Sequence, residues 1–226
     1  MRSLGIIVAF LSLVLASSAF AASAAAARGA AAAARAEFAA AVGMPGDSAR
    51  GALLYRTCAA CHAPNGGGTD NGIVPAIAGQ HARVLIEQLA DFRSGERSDA
   101  TMEHFGDRQR LAGPQALADV AKYVSQLPPV ASGGSGDGAA VERGAGAYGR
   151  ACARCHGAAA EGDAAKRVPR LAGQRQVYLS RQLHAAAERR PRMRAQHAQL
   201  FKRTGPRDLD DLAVYLASLM PIAAPR

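Results

Sequence analysis

Two short words in this 226-residue chain could do chemistry, Cys58-Ala59-Ala60-Cys61-His62 and Cys152-Ala153-Arg154-Cys155-His156. They use all 4 cysteines of the chain, and each word ends in histidine. Two thiols three positions apart reach the two vinyl groups of one porphyrin, and the next residue sets an imidazole under its iron. The pattern is the attachment signature of c-type haem, so two words point to two haems. Other uses of paired cysteines fit less well. Zinc would draw both pairs onto one ion with about four ligands and leave the histidines accidental. A thioredoxin-like dithiol needs a βαβ setting, and no β-rich run is present.

The words must be positioned by something, and the chain repeats itself around them. An offset of 94 takes Cys58 to Cys152 and carries Pro75-Ala76-Ile77-Ala78-Gly79-Gln80 onto Pro169-Arg170-Leu171-Ala172-Gly173-Gln174. It also carries Leu85, Gln88 and Leu89 onto Leu179, Gln182 and Leu183. Towards the end the offset slips to 92, which takes Tyr123 to Tyr215. A turn-rich Gly/Ser/Pro stretch separates the copies. The expected organisation is one domain over 43–128, a linker over 129–140 and a second domain over 141–221.

Each copy reads as helical. Leu117, Val120, Ala121, Val124 and Leu127 recur at helical spacing, as do Leu209, Leu212, Ala213, Leu216 and Leu219. Pro114 and Pro206 precede these stretches, where a missing N–H costs little. No strand-like alternation of useful length appears, so the fold class is all-α. Domains this small are short of apolar area, and aromatics are only 5% of the chain. A buried porphyrin would supply that surface.

Residues 1–24 read as a signal peptide. Met1-Arg2 is the basic start, Gly5 to Ala16 the apolar run, and cleavage sites of A-x-A type follow. The strongly apolar part is shorter than the roughly 20 residues of a spanning helix, so a cleaved, periplasmic product is expected. Residues 25–42 are alanine-rich with Phe38 the one large side chain, and are expected to be a mobile leader or tether.

The doubled C-x-x-C-H, the P-x-[IL]-A-G-Q segment, the L-x-x-Q-L helix and the terminal L-A-x-Y helix resemble the cytochrome c4 family. These are dihaem class I c-type cytochromes, and the resemblance runs from about Gly43 to Pro221. It implies two tandem class I cytochrome c domains, each wrapped around one covalent haem. It implies electron transfer by Fe(III)/Fe(II) cycling rather than catalysis. Cys58, Cys61, Cys152 and Cys155 would carry the thioethers, with His62 and His156 as axial ligands. Met102 and Met193, one per copy in the loop before the last helix, would be the sixth ligands, because thioether sulfur favours the ferrous state. The carbonyls of Pro75 and Pro169 would accept the Nδ1–H of the two axial histidines. His104 and His197 follow the two methionines closely, so bis-histidine ligation stays open as the alternative. The second copy also reads Ala187-Glu188-Arg189-Arg190 where the first has Phe92-Arg93-Ser94-Gly95. His81 and His184 are unmatched between the copies and read as surface residues.

The formal charge of +9 is concentrated in the second copy. It reads either as a solvated basic face or as a docking surface for an acidic redox partner or an anionic membrane. Nucleic acid is not expected of an exported chain. The partners implied are an electron donor, such as a quinol–cytochrome c reductase or a dehydrogenase, and an acceptor such as a terminal oxidase. Two rivals remain, a cytochrome subunit of a periplasmic dehydrogenase complex and a dihaem peroxidase with an open iron position.

Overall fold

The computed structural model describes residues 25–221 apart from 27, 132, 135, 189–196, 198–200, 202 and 203. The segment expected to be a signal peptide lies outside the described residues, and so does Met193. Among the described residues the structure is helical, with one isolated bridge between Asp163 and Val168. Helix α1 runs over 28–43. The first domain holds α2 (Ser48–His62), α3 (Ala82–Ser94), α4 (Ala100–Phe105) and α5 (Gly113–Gln126). The second holds α6 (Gly138–Ala151), α7 (Ala153–His156), α8 (Gln176–Ala187) and α9 (Pro206–Ser218).

Both domains are built on one crossing of first and last helices, α2 on α5 and α6 on α9. Glycine makes the close approach. A Cβ on Gly51 would overlap the Asp119 carbonyl, and one on Gly144 would overlap that of Asp211. One turn further on, Tyr55 meets Tyr123 at 5.4 Å and Tyr148 meets Tyr215 at 5.5 Å. The buried tyrosine hydroxyls donate to carbonyls just past each histidine, Tyr55 to Ala63 at 2.7 Å and Tyr148 to Gly157 at 2.6 Å. A carboxylate locks each crossing from the side. Asp119 accepts from Arg50 Nε at 2.8 Å and Asp211 from Arg143 Nε at 2.7 Å. Burial alone would raise the Asp119 pKa, but the Arg50, Asp47 and Gln115 donors outweigh it and hold it below the ordinary carboxylate range. The leucines expected to face the core do so, with Leu117, Leu209, Leu212 and Leu216 among the most deeply buried side chains.

The two copies differ at the cysteines. Three positions separate Tyr55 from Cys58, and four separate Tyr148 from Cys152. In the first domain α2 runs unbroken into His62. In the second, the extra residue interrupts the helix at Cys152, and α7 restarts at Ala153.

Two expectations from the sequence need correction. The alanine-rich leader is not a loose tether over 28–43: it is a helix docked on the first domain, with Ala34, Glu37 and Ala41 buried and Phe38 packed against the core. Alanine did not supply the grip. Glu37, 8% exposed, forms ion pairs with Arg93 and Arg108. The linker is also shorter than 129–140. Pro129 packs on Gly79 of the first domain, just as Pro221 packs on Gly173 of the second, and α6 begins at Gly138 under an Asp137 cap.

Candidate functional site

His62 and His156 end the helices that carry the cysteines, and both rings are buried, 6% and 7% exposed. The Nδ1–H of His62 donates to the Pro75 carbonyl at 3.0 Å, and that of His156 to the Pro169 carbonyl at 3.0 Å. A proton fixed on Nδ1 puts the lone pair on Nε2, which is the tautomer a metal takes. Burial lowers the His62 pKa, with the Pro75 bond and the Asp99 charge opposing. The ring is therefore held neutral, as a ligand must be.

The four thiols form no disulfide: Cys58 and Cys152 are half-buried, while Cys61 and Cys155 are exposed. Burial raises the Cys58 pKa and pushes that of Cys152 up to about 11. Thiols so placed are not the low-pKa thiolates of a redox-active dithiol. Among the described residues no group of three or more His, Cys, Asp or Glu side chains converges as a metal site, so the two pairs do not share a zinc ion. Paired thiols on one turn, followed by a neutral buried imidazole locked from behind, fit covalent haem in both domains.

In the first domain Met102 lies half-buried on α4. Asp99 caps this helix by accepting from the N–H groups of Thr101 at 3.1 Å and Met102 at 3.0 Å. The same carboxylate also opposes the lowering of the His62 pKa through its charge. The following loop is held by Arg93, whose side chain is 2% exposed. Its guanidinium donates to the Gly106 carbonyl at 2.6 Å and the Leu111 carbonyl at 2.5 Å, and its remaining arm meets Glu37 of α1. His104, by contrast, is exposed and sits edge-on to Phe105 at 5.0 Å.

The second domain is arranged otherwise. At the offset of 94, Arg93 falls on Ala187, one place earlier than the segment pairing that begins at Phe92 and Ala187 sets it. Met193 lies outside the described residues, but His197 does not. It is half-buried, with its ring 6.1 Å from that of His156 and stacked on Phe201 at 5.9 Å.

The histidine-holding segments also meet across the domain seam, in near two-fold fashion. Gln80 Nε2 donates to the Arg170 carbonyl at 3.0 Å, and the Arg170 N–H returns to Gln80 Oε1 at 3.0 Å. Gln174 Nε2 donates to the Ala76 carbonyl at 2.7 Å, and the Ala76 N–H returns to Gln174 Oε1 at 2.9 Å. Beside them His81 Nε2–H donates to the Glu161 carbonyl at 2.9 Å, and Arg175 donates to the Gly67 carbonyl at 2.9 and 2.7 Å. His81 is thus a seam residue rather than a surface one. His184 does lie at the surface, paired with Asp210 at 2.8 Å. Four arginines expected to be part of a free basic face turn to the first domain instead. Arg167 pairs with Glu87 at 3.0 Å, Arg181 donates to the Ile73 carbonyl at 3.0 Å, and Arg170 and Arg175 are the seam contacts above. Sequence reasoning missed the seam, although Gln80 and Gln174 stood in the quoted repeat.

A duplicated helix crossing, each with a proline-locked histidine and two thiols on one turn, defines a two-domain c-type cytochrome. The family described as Cytochrome c matches residues 48–128 and again 141–220. Cytochrome c4 of Azotobacter vinelandii is 34% identical over 154 residues, 61% of this chain and 71% of that protein. The thiosulfate dehydrogenase electron acceptor of Thiomonas intermedia is 34% identical over 143 residues, 57% of this chain and 62% of that protein. Reduced cytochrome c4 from Pseudomonas stutzeri superposes with a TM-score of 0.67 at 26% identity, covering 77% of this chain and 100% of that one. The chain belongs to the cytochrome c4 family. It is a dihaem electron carrier with two covalent haem c groups, as the resemblance implied.

Proposed function

We propose that the protein is a periplasmic carrier of single electrons between respiratory partners, with His62 and His156 as the axial ligands of its two haems. The observation that carries this is the matched bond from each buried imidazole to a proline carbonyl, 3.0 Å in both domains. In the first domain Met102 would supply the sixth ligand, and a thioether there would raise the potential. The haems would supply the one-electron Fe(III)/Fe(II) chemistry, and the chain's own residues hold and orient them. Cys61 and Cys155 are exposed, so haems attached there would have an edge near solvent for partners to approach.

Among the described residues no helix is long and apolar enough to cross a membrane. Arg150 and Arg154 are exposed in the second domain, beside the cysteine word in sequence, and would offer a docking surface to an acidic partner such as a terminal oxidase or to an anionic membrane face. A redox titration of the holoprotein tests the reading. Two one-electron steps are expected, and a Met102→Ala variant should lose the near-red band of methionine-ligated ferric haem in the first domain. A band of undiminished intensity in that variant would remove Met102 from the iron.

A second reading has its own support. A relative is named as the electron acceptor of thiosulfate dehydrogenase. The thiosulfate dehydrogenase of Marichromatium purpuratum superposes at a TM-score of 0.63 and 28% identity, with 76% of this chain on 40% of that one. On this reading the protein accepts electrons from a dehydrogenase held in one complex with it. Co-purification with a catalytic chain would favour this reading; isolation as a single dihaem chain would favour the free carrier.

A further inference from the structure

We propose that the second haem is ligated by two histidines, His156 and His197, rather than by His156 and Met193, so that the two centres of this carrier differ in kind. The inference rests on the haem assignment above and deepens it. Its ground is the ring geometry. An imidazole nitrogen sits about 2 Å from a bound metal, with its ring centre roughly 1 Å beyond, so two imidazoles trans on one ion have centroids about 6 Å apart. The His156 and His197 centroids are 6.1 Å apart. Their planes are inclined by 34°, an angle that rotation about a shared iron–nitrogen axis permits.

The ring is also supported from behind. His197 stacks on Phe201 at 5.9 Å and 28°, and Phe201 packs against the core of the second domain. The Nδ1 bond of His156 to Pro169 leaves its Nε2 as the nitrogen available to iron. The first domain shows the contrast. Its counterpart in sequence, His104, is exposed and engaged with Phe105, and Met102 occupies the capped helix instead.

Two neutral imidazoles stabilise ferric iron more than an imidazole and a thioether do. The second haem is therefore the lower-potential centre, and an electron on the half-reduced protein resides on the first. The arrangement gives the carrier a direction, with entry at the second domain and storage at the first.

Spectroscopy of the full-length holoprotein decides the matter. The near-red band of the ferric protein should have half the intensity of a protein with two methionine-ligated haems. Met193→Ala should leave the band unchanged and Met102→Ala should abolish it. His197→Met should double it and raise the lower of the two potentials. Proton NMR of the unaltered reduced protein gives an independent readout, with one strongly upfield methionine methyl expected rather than two. Two such methyls, or a band halved by Met193→Ala, would overturn the assignment while leaving the carrier intact. A chain that carries fewer than two covalent haems would overturn the carrier reading itself.

Discussion

The two domains share their crossing helices and part company on the far side of the histidine. In the first, the loop after Met102 is tied by a buried guanidinium, and that guanidinium is tied by a carboxylate from outside the domain. Arg93 and Glu37 are 2% and 7% exposed in their side chains, so neither charge has water to fall back on. In the second, position 187 is alanine, no leader helix covers the domain among the described residues, and the ring of His197 lies 6.1 Å from that of His156. A duplicated sequence thus keeps what grips the proximal ligand and lets the distal side diverge. The proximal grip is a set of short-range fits, glycine against carbonyl and tyrosine against tyrosine. Distal ligands sit in loops, which tolerate change.

The largest expected effect separates the domains by their charge clamp. Glu37→Ala strands the Arg93 cation in the interior, and breaking a buried pair costs about 3 kcal/mol. The first domain should melt earlier in calorimetry, its near-red band fading before global unfolding, while the second stays unmoved. Equal loss in both domains would mean that α1 braces the whole molecule. Next come the paired glycines. Gly51→Ala and Gly144→Ala each press a methyl into a carbonyl across a helix crossing, and each should cost about 2 kcal/mol as overpacking does. Near-equal denaturant midpoint shifts would uphold the equivalence of the crossings; a large disparity would break it. The smallest effect is at the seam. Burial lowers the His81 pKa, so the folded protein binds fewer protons than the unfolded one just below the ordinary histidine value of about 6.5. The His81 contribution is complete above that pH and declines as pH falls towards the lowered value. Thermal midpoints measured from pH 7 down to 5 should fall less steeply in a His81→Gln variant than in the unaltered protein.

What was legible in the sequence was whatever repeats at short range. The haem words, the leucine spacing of the last helices and the prolines thirteen residues past each histidine all came through, and the structure places both proline carbonyls on the histidines. Gly51 and Gly144 escaped notice because alignment on the cysteines puts them one position out of register. Their own offset is 93, and the slip to 94 marks the break at Cys152. Glu37 was invisible for another reason. A lone acid in an alanine run shows its meaning only beside Arg93, 56 positions away. The basic excess misled in the opposite sense, since net charge does not say which arginines face a neighbouring domain.

One peptide unit in each domain has two roles. The Pro75 carbonyl that holds His62 and the Ala76 N–H that Gln174 accepts belong to the same amide plane, and so do the Pro169 carbonyl and the Arg170 N–H. A hydrogen bond at one end of an amide polarises the other end. Each glutamine thereby acts on the carbonyl that holds the imidazole of the opposite domain. The proximal grip on each histidine is shared property of the joint: prising the domains apart would strip both carbonyls of that polarising partner at once.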